Sequence, residues 1–556
     1  MQAIENDQES DTLSRKTGLS YLHNPGSEPL RYMTLSNLLE SAAARYGQTE
    51  AFVSLYDNRR VTYTELHRDA DQLASGFRRL GLGRGDRIGL WAPNGIEWVT
   101  TMYAAARVGL ITVCLNPGYE ANELKYCLNK CGVKALVCPD VYRTLDFYGK
   151  LCTLIPDLSS GNVEVPTLKT IIMISQQKLR GTFNYCEVLG MADETGIEQQ
   201  SKVSPDDICN IQFSSGTTGL PKAACLTHFQ ILNVAYFVGK RMNLDESQQK
   251  FCLQLPLFHV FGVVGEIAMG THFGKTMVFP SPTYNSTANL NALEQERCSI
   301  VFGTPTMYVD LINLQKKSNK KIWVTDAVIG GSPCSPSIIN AIKDHLKIQN
   351  VTIVYGATEM TGITFQSLID DKEYRNTETV GYIMDHVEAK VVDRKGNLVP
   401  FGTPGELCVR GYLISKSYWN DPEKTKEVLC DRKWYRTGDE FVLQEDGYGR
   451  VVGRLKDMII RGGENIFPKE IEDLLGEHPD ILEIFVIGVN SERLGEEVCA
   501  CVRPKPGSQV TLDSIREFCR GKLAPYKIPS HLEIVATFPK TASGKIQKYL
   551  LKEQIC

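Results

Sequence analysis

The sequence predicts an α/β protein whose large N-terminal domain is followed by a small, mobile α+β C-terminal domain. The chain has 556 residues, which is more than a single domain usually contains. Over most of its length, short apolar runs alternate with helix-length segments, a pattern typical of βαβ units around parallel sheets. Between residues 385 and 452 strands and turns replace this pattern, which predicts a β-rich subdomain of the large domain.

The composition is that of an ordinary globular protein, with 42% hydrophobic and 23% charged residues. A formal net charge of −4 gives no indication of a nucleic-acid partner. The seventeen cysteines are scattered, without paired CxxC motifs or a nearby histidine cluster, so we expect free thiols in a reducing compartment. No apolar run reaches the roughly 18 residues of a membrane span, so we predict no transmembrane segment.

The first 33 residues are predicted to be an N-terminal extension. Their opening stretch, MQAIENDQESDTLSRK, has four acidic residues before its first basic one. This charge is wrong for a mitochondrial presequence, and the apolar core of a secretory signal is missing.

The α/β pattern occupies two sections of the large domain, which we place at residues 34–454. The first section covers about residues 34–190, and the second begins near residue 208 with ICNIQFSS, a predicted buried strand, and FQILNVAYFVGKRM, a predicted helix. Ligands of parallel α/β sheets bind beyond the carboxyl ends of the strands. We therefore expect a site near the predicted strand ends Ser214, Gly303, Gly330 and Gly356.

The stretch SSGTTGLPK at residues 214–222 has the composition of a phosphate-binding loop. Glycines let the backbone approach a ligand, hydroxyls donate hydrogen bonds, and the lysine is positively charged. We interpret the stretch as a loop between a strand and a helix N-terminus, where phosphates often bind. Its glycine spacing differs from that of the P-loop.

The chain after residue 454 is predicted to be a separate unit. We place a hinge at residues 455–458 and an α+β domain at residues 459–556. No convincing helix is predicted between residues 385 and 452.

Other motifs have ordinary structural explanations when each is considered alone. YGATE could be a capped strand end, YRTGD a turn and PKTASGKIQK a basic surface loop, and His259 in PLFHVFG could be a core histidine. However, the phosphate loop, PLFHVFG, GGSP, YGATE, YRTGD, GRLKDMIIRGGENIFP and PKTASGKIQK occur in this order. As an ordered set over residues 34–550 they resemble the adenylate-forming enzymes, which include acyl-CoA synthetases, luciferases and adenylation domains. The stretches GLSYLHNPGSEPL, NPGYEANELKYCLNKCGVKALVCP and GGENIFPKEIED are similar to those of mitochondrial medium-chain acyl-CoA ligases.

The resemblance implies an acid–thiol ligase that uses ATP, Mg²⁺ and coenzyme A to activate a fatty acid. Lys545, Thr358 and Glu359 would be catalytic, with Lys545 bridging the acyl carboxylate and the α-phosphate, and Thr218 and Glu359 would place Mg²⁺. The implied nucleotide- and coenzyme A-binding residues are Ser214, Ser215, Gly216, Thr217, Thr218, Gly219, Leu220, Pro221, Lys222, Gly330, Gly331, Ser332, Tyr355, Asp439, Arg454, Lys456, Gly462 and Gly463. The small domain would rotate about Lys456 between the two half-reactions.

The implied acyl-binding residues are small or apolar: His259, Val260, Phe261, Gly303, Thr304, Gly331 and Gly356. They favour a monocarboxylic fatty acid, but they do not fix its chain length. A ligase for aryl or specialised acids and a luciferase-like enzyme share every nucleotide motif and stay open. A silent nucleotide-binding scaffold would predict damage at Lys545, Asp439, Glu359 or the phosphate loop, and the sequence has none.

The family resemblance implies the mitochondrial matrix, whereas the acidic N-terminus favours the cytoplasm. Ala223, where many relatives have glycine, departs from the family pattern, but its methyl group needs little room.

Overall fold

The structure, a computed structural model, has the predicted α/β fold with a β-rich subdomain and an α+β C-terminal part. It describes residues 17–158, 163–192, 203–214, 221–245, 249–332, 334–369, 371, 373–462, 464–541 and 546–555. Within these residues, no helix combines the length and apolar character that a membrane span requires.

The first section consists of short strands and amphipathic helices. In chain order its elements are β1 (Tyr21–Asn24), α1 (Leu35–Tyr46), β2 (Glu50–Ser54), β3 (Arg59–Thr62), α2 (Tyr63–Arg79), β4 (Arg87–Leu90), α3 (Ile96–Val108), β5 (Ile111–Cys114), α4 (Ala121–Cys131), β6 (Ala135–Pro139), β7 (Val141–Tyr142), β8 (Leu145–Asp146), α5 (Phe147–Leu154), β9 (Thr170–Ile174), β10 (Phe183–Asn184) and α6 (Tyr185–Leu189).

The second section contains β11 (Ile208–Ser214), β12 (Lys222–Thr227), α7 (His228–Arg241), β13 (Lys250–Cys252), a π-helix (Gly262–Ala268) continued by α8 (Met269–His272), β14 (Thr276–Phe279), α9 (Ser286–Gln295), β15 (Ile300–Gly303), α10 (Pro305–Ser318), β16 (Asp326–Ile329), α11 (Pro336–Ala341), a second π-helix (Ile342–Leu346), β17 (Asn350–Tyr355), a 3₁₀-helix (Thr358–Met360), β18 (Phe365–Gln366) and α12 (Glu373–Glu378).

The β-rich subdomain contains β19 (Tyr382–Ile383), β20 (Val387–Val392), β21 (Gly405–Gly411), β22 (Ser417–Tyr418), α13 (Pro422–Val428), a 3₁₀-helix (Asp431–Lys433), β23 (Tyr435–Leu443) and β24 (Gly449–Arg454). The C-terminal part contains a 3₁₀-helix (Leu455–Asp457), β25 (Ile459–Arg461), β26 (Glu464–Ile466), α14 (Pro468–Leu475), β27 (Ile481–Ser491), β28 (Gly495–Pro504), α15 (Leu512–Cys519), a 3₁₀-helix (Pro525–Lys527), β29 (His531–Ile534) and α16 (Lys548–Ile555).

Two sheets enclose the central helices of the large domain. One sheet has the order β10-β9-β6-β4-β5-β11-β12-β22, and the other has the order β19-β18-β17-β16-β15-β13-β14-β2-β3. Along β6, Ala135 and Val137 join the central core, whereas Leu136 and Cys138 pack into an outer cluster. Both faces of the strand are buried, which explains why such strands read as continuous apolar runs.

The β-rich subdomain forms a third sheet, β1-β20-β21-β23-β24, to which the segment before residue 34 contributes β1. The predicted absence of a helix between residues 385 and 452 is wrong. Helix α13 begins there, with the Asp421 side chain accepting from the backbone N–H of Lys424 and Pro422 in the first turn. Both residues favour helix starts, so the signal was present in the sequence.

The predicted strand–loop–helix arrangement of the phosphate loop is also wrong. Strands β11 and β12 pair antiparallel, with Ser214 opposite Lys222, so the stretch forms the end of a hairpin. Helix α7 begins only after β12. In addition, β11 pairs with β5 in the first sheet, whereas Gly303, Gly330 and Gly356 lie at strand ends of the second sheet.

Candidate active site

Glu359 is the centre of a buried cluster between the two sheets. The residue follows β17 in the chain and is 8% exposed. Ser214 Oγ and the Tyr418 hydroxyl each donate to Glu359 Oε1 at 2.7 Å. Lys222 Nζ lies 5.2 Å from the centroid of the Tyr418 ring, so a cation is close to this carboxylate. The cluster combines residues from β11, β12, β22 and the loop after β17.

A second cluster forms around Asp439, which is 3% exposed. The Tyr355 hydroxyl donates to Asp439 Oδ2 at 2.6 Å, and Arg454 Nε lies 2.7 Å from Oδ1. Asp439 and Arg454 are opposite each other in the β23–β24 pair. Burial lowers the pKa of Arg454, but the combined effect of Asp439, Asp457 and the neighbouring tyrosines is larger, so the pKa is raised. The guanidinium is therefore a permanent cation at the end of β24.

Tyr435 lies between the two clusters. Burial and the charges of both Glu359 and Asp439 raise the pKa of its hydroxyl. Burial and the Glu359 charge likewise raise the pKa of Tyr418. Both phenols therefore stay protonated at neutral pH, and Tyr418 is a hydrogen-bond donor to Glu359.

The phosphate hairpin is anchored at its second strand. The Tyr126 hydroxyl of α4 donates to the carbonyl oxygen of Pro221 at 3.2 Å, and Lys222 begins β12. Ser215, Gly216, Thr217, Thr218, Gly219 and Leu220 lie outside the described residues. Ser214 and Lys222 are therefore the described ends of the proposed phosphate site.

The glycines at the strand ends allow close approaches of the backbone. A Cβ at Gly356 would lie 2.3 Å from the carbonyl oxygen of Gly362, and Gly331 has a φ of +84°. Ser332, which is half-buried, follows the exposed Gly331 in the loop after β16. Thr358, 7% exposed, begins the short 3₁₀-helix that carries Glu359.

The proposed acyl residues lie around the start of the first π-helix and the end of β15. Val260 and Phe261 are 1% and 5% exposed, and a Cβ at Gly330 would lie 3.2 Å from the Phe261 ring. His259 Nδ1 accepts from the Phe261 backbone N–H at 3.3 Å. A Cβ at Gly303 would lie 2.6 Å from Gln254 Nε2.

Two polar atoms beside these residues have no hydrogen-bond partner in the part of the chain that the structure describes. They are Thr304 Oγ1 and Gln254 Nε2, and both are buried. Buried donors without partners are costly, so a polar group of a ligand could satisfy them.

The C-terminal part contributes the remaining predicted residues. Lys456 is exposed in the 3₁₀-helix that follows β24, and Gly462 has a φ of +59° and donates its N–H to the Leu494 carbonyl at 2.7 Å. Gly463 and Lys545 lie outside the described residues. Burial raises the pKa of Asp310 on α10, and the positive charge of Lys540 opposes that increase. Lys540 of the C-terminal part therefore lies within electrostatic reach of α10 of the large domain.

The donor atoms fit a magnesium ion that arrives with a nucleotide. Mg²⁺ prefers oxygen ligands and is usually held by one or two carboxylates together with substrate phosphates. Glu359 and Ser214 offer such oxygens. Among the described residues, no group of three or more His, Cys, Asp and Glu is arranged to hold a metal ion.

Sequence reasoning did not single out Tyr418. It comes from SKSYWN, a segment without glycine or charge pattern, and it meets Glu359 across 59 residues of chain. Only the pairing of β22 with β12 places it there.

Comparison with known families agrees with this geometry. Residues 39–419 match the AMP-binding enzyme family, and residues 470–545 match the AMP-binding enzyme C-terminal domain. The chain belongs to the AMP-binding enzyme family. The resemblance seen in the ordered motifs is therefore confirmed.

Relatives of this AMP-binding enzyme cover nearly its whole length. It is 41% identical over 548 residues to medium-chain acyl-CoA ligase ACSF2, mitochondrial, of Danio rerio, covering 96% of this chain and 90% of that protein. It is also 41% identical over 554 residues to the protein of the same name from Macaca fascicularis, with 97% and 90% covered. Among solved structures, the anthranilate CoA ligase AuaEII in complex with anthranoyl-AMP superposes with a TM-score of 0.84 at 26% identity, covering 95% of this chain and 98% of that one.

Proposed function

We propose that this AMP-binding enzyme is an ATP-dependent ligase that joins a medium-chain fatty acid to coenzyme A. The acid's carboxylate attacks the α-phosphorus of ATP, which forms an acyl-adenylate and releases pyrophosphate. The thiol of coenzyme A then attacks the acyl carbon, which forms the thioester and releases AMP.

The observation that carries the proposal is a pair of buried carboxylates, each with a cation nearby, whose charges both act on Tyr435. Asp439, held by Tyr355 and Arg454, suits the ribose hydroxyls of a nucleotide. Glu359, with Lys222 nearby, suits a phosphate chain that carries a divalent cation. This pairing explains why a polar cluster is buried in an otherwise apolar interior.

Each residue has a proposed task in the first half-reaction. Lys222 and the hairpin hold the β- and γ-phosphates, and Thr358 faces the α-phosphate. Gly330, Gly331 and Ser332 line the adenine site. Mg²⁺, when bound through Thr218 and Glu359, would neutralise phosphate charge.

Lys545 is proposed to bridge the carboxylate and the α-phosphate, where charge develops in the transition state. In the second half-reaction the C-terminal domain, residues 459–556, rotates about a hinge at residues 455–458. The hairpin at Gly462 and Gly463 then accommodates the pantetheine arm of coenzyme A. We propose this domain division together with the large domain at residues 34–454.

The buried apolar side chains of Val260 and Phe261 favour a fatty acid as the substrate. A second candidate, a ligase for an aryl or polar-substituted acid, is supported by the unpartnered Thr304 Oγ1 and Gln254 Nε2. A solved relative in this family is an anthranilate CoA ligase. For location we propose the mitochondrial matrix, because the relatives' names contain the word mitochondrial.

The test is release of AMP in the presence of ATP, Mg²⁺ and coenzyme A across a panel of acids. The panel contains straight-chain acids of increasing length, benzoate, a cinnamate and 2-aminobenzoate. A rate maximum among medium-chain acids, with the matching acyl-CoA as product, is expected. A maximum on the aromatic acids would favour the second candidate. Absence of AMP release with every acid, despite measurable ATP binding, would contradict both.

A further inference from the structure

A cationic cavity lies on the large domain, away from the proposed active site. It occupies about 260 Å³ between α1, α7 and α8, and its lining includes Arg31, Arg45, Tyr236, Lys240, Asp245 and His272. The helical segment 262–272 begins next to Phe261 of the proposed acyl site and ends at His272. At about 1.5 Å per residue, the two sites are on the order of 15 Å apart.

Among the described residues, carboxylates pair directly with one of the three cations around this cavity. Lys240 Nζ lies 2.6 Å from Asp245 Oδ2 and 3.3 Å from Glu28 Oε1. Within the described ranges, neither Arg31 nor Arg45 has a carboxylate oxygen within 4.0 Å. With Lys240 shared between Asp245 and Glu28, three cations face two carboxylates, so the cavity keeps one positive charge in excess.

Aromatic rings hold these two guanidiniums in place. The Arg31 guanidinium lies 3.8 Å from the centroid of the Tyr236 ring, and that of Arg45 lies 5.1 Å from the centroid of the Tyr46 ring. Tyr236 in turn donates its hydroxyl hydrogen to Glu28. Stacked guanidiniums keep N–H donors at their edges, which is the arrangement that recognises phosphate and carboxylate groups.

His272 adds an unused polar atom to the cavity. Its Nε2 is buried and has no hydrogen-bond partner among the described residues. Burial, together with the charges of Arg31 and Arg45, lowers the pKa of His272 to about 3. The imidazole is therefore neutral, and an Nε2–H tautomer would be one more donor for a bound anion.

A smaller cavity of about 130 Å³ continues from this one over apolar side chains. It shares Arg31, Arg45 and His272 and extends over Met33 and Leu38. A ligand with an oxyanion at one end and a short apolar group at the other would fill both cavities. Burial of the apolar group would add to the affinity.

We propose that these joined cavities form a second binding site, which takes an alkyl phosphate or a fatty-acid carboxylate. The oxyanion would receive hydrogen bonds from Arg31, Arg45 and His272. This site is independent of the nucleotide site and of the proposed ligase reaction.

The test measures binding to the full-length protein by calorimetry with octyl phosphate, octanoate and inorganic phosphate as separate probes. Arg31→Gln and Arg45→Gln are compared with the wild type and with Arg520→Gln, a control that removes an exposed guanidinium paired with Glu517. Each cavity substitution is expected to weaken octyl phosphate or octanoate binding about 10-fold, because a charge-assisted hydrogen bond is lost. Arg520→Gln should bind like the wild type.

The probe whose affinity falls more in Arg31→Gln and Arg45→Gln identifies the source of the oxyanion, because octanoate can also bind at the proposed acyl site. The same titrations with ¹⁵N-labelled histidine should show a shifted His272 imidazole signal, which a ligand in the active site would not produce. Equal affinities in the wild type and the Arg31→Gln/Arg45→Gln protein would overturn the proposal, as would no binding of any probe at millimolar concentration. Ligase activity of the same variants, measured separately, shows that they are folded and reports independently on the proposed function.

Discussion

Asp439 illustrates how a single buried charge is maintained. The residue is 3% exposed, yet its two carboxylate oxygens face the Tyr355 hydroxyl and the Arg454 guanidinium. A buried carboxylate without such partners would be destabilising or would take up a proton. The YRTGD motif revealed the acid in the sequence, but its partners come from β17 and β24.

Asp439→Asn should raise the KM for ATP about 10- to 100-fold, because hydrogen bonds to a charged acceptor contribute about 1.5–3 kcal/mol. Initial rates at varied ATP measure this change. The control is Asp513→Asn, whose side chain is 94% exposed in the C-terminal part. Equal KM values in the two variants would exclude the ribose role.

Glu440, the next residue on β23, is a partly buried carboxyl group with a raised pKa. Burial raises its pKa from 4.5 to about 7, and Arg394 opposes this only in part. Its Oε2 is buried without a partner in the described structure. The folded protein therefore holds a proton that the unfolded chain releases above pH 4.5, so folding stability falls as the pH rises from 4.5 to 7.

Glu440→Gln cannot ionise, so it avoids this fall in folding stability at higher pH. The variant should gain about 1–2 kcal/mol in the free energy of unfolding at pH 8, after allowing for solvent screening, and less at pH 5. Urea unfolding at both pH values measures the difference. Glu445→Gln, at an exposed turn position of the same subdomain, is the matched control and should change little at either pH. A gain that is the same at pH 5 and pH 8 would contradict the assignment.

At the scale of elements, the β11–β12 hairpin organises the site. Strand β11 pairs with β5 on one side, and β12 pairs with β22 on the other. This fixes Ser214 and Lys222 opposite each other and sets Tyr418 on the adjacent strand. The loop between them is thus held at both ends by a sheet.

Lys222→Gln should raise the KM for ATP about 10-fold or more, because a charge-assisted contact to phosphate is lost. The matched control is Lys416→Gln, an exposed lysine near the same strands whose Nζ donates to the Asp206 carbonyl at 3.4 Å. Pyrophosphate exchange at varied ATP measures both. If the two variants behave alike, the hairpin lysine is not a phosphate ligand.

At the scale of the whole molecule, the proposed mechanism uses different faces of the C-terminal part in the two half-reactions. Lys540 lies close enough to α10 to affect the pKa of Asp310, so this residue of the C-terminal part lies beside the large domain. The turn Leu455–Asp457 connects the two parts of the chain directly after Arg454. Rotation at this turn would exchange Lys545 for the hairpin that contains Gly462.

Lys545→Ala should lower ATP–pyrophosphate exchange about 10²- to 10³-fold, as expected for loss of a group that stabilises transition-state charge. Thioester formation from supplied acyl-adenylate should be largely retained. Lys552→Ala, which removes an ion pair with Glu496 in the same part of the chain, should affect neither half-reaction. Equal loss of both half-reactions in the Lys545 variant would rule out the rotation.

The sequence by itself determined the chemistry available at each position and the alternation of strands and helices. Glycines, hydroxyls and Lys222 predicted the phosphate loop, and apolar periodicity predicted the α/β fold, because both depend on neighbouring residues. The tertiary structure decided which strands pair. The sequence alone did not show that β11 joins the first sheet, that the loop ends a hairpin, or that Tyr418 reaches Glu359. The physical reason is that a period of two residues fixes which face of a strand is buried, whereas the choice of partner depends on long-range packing.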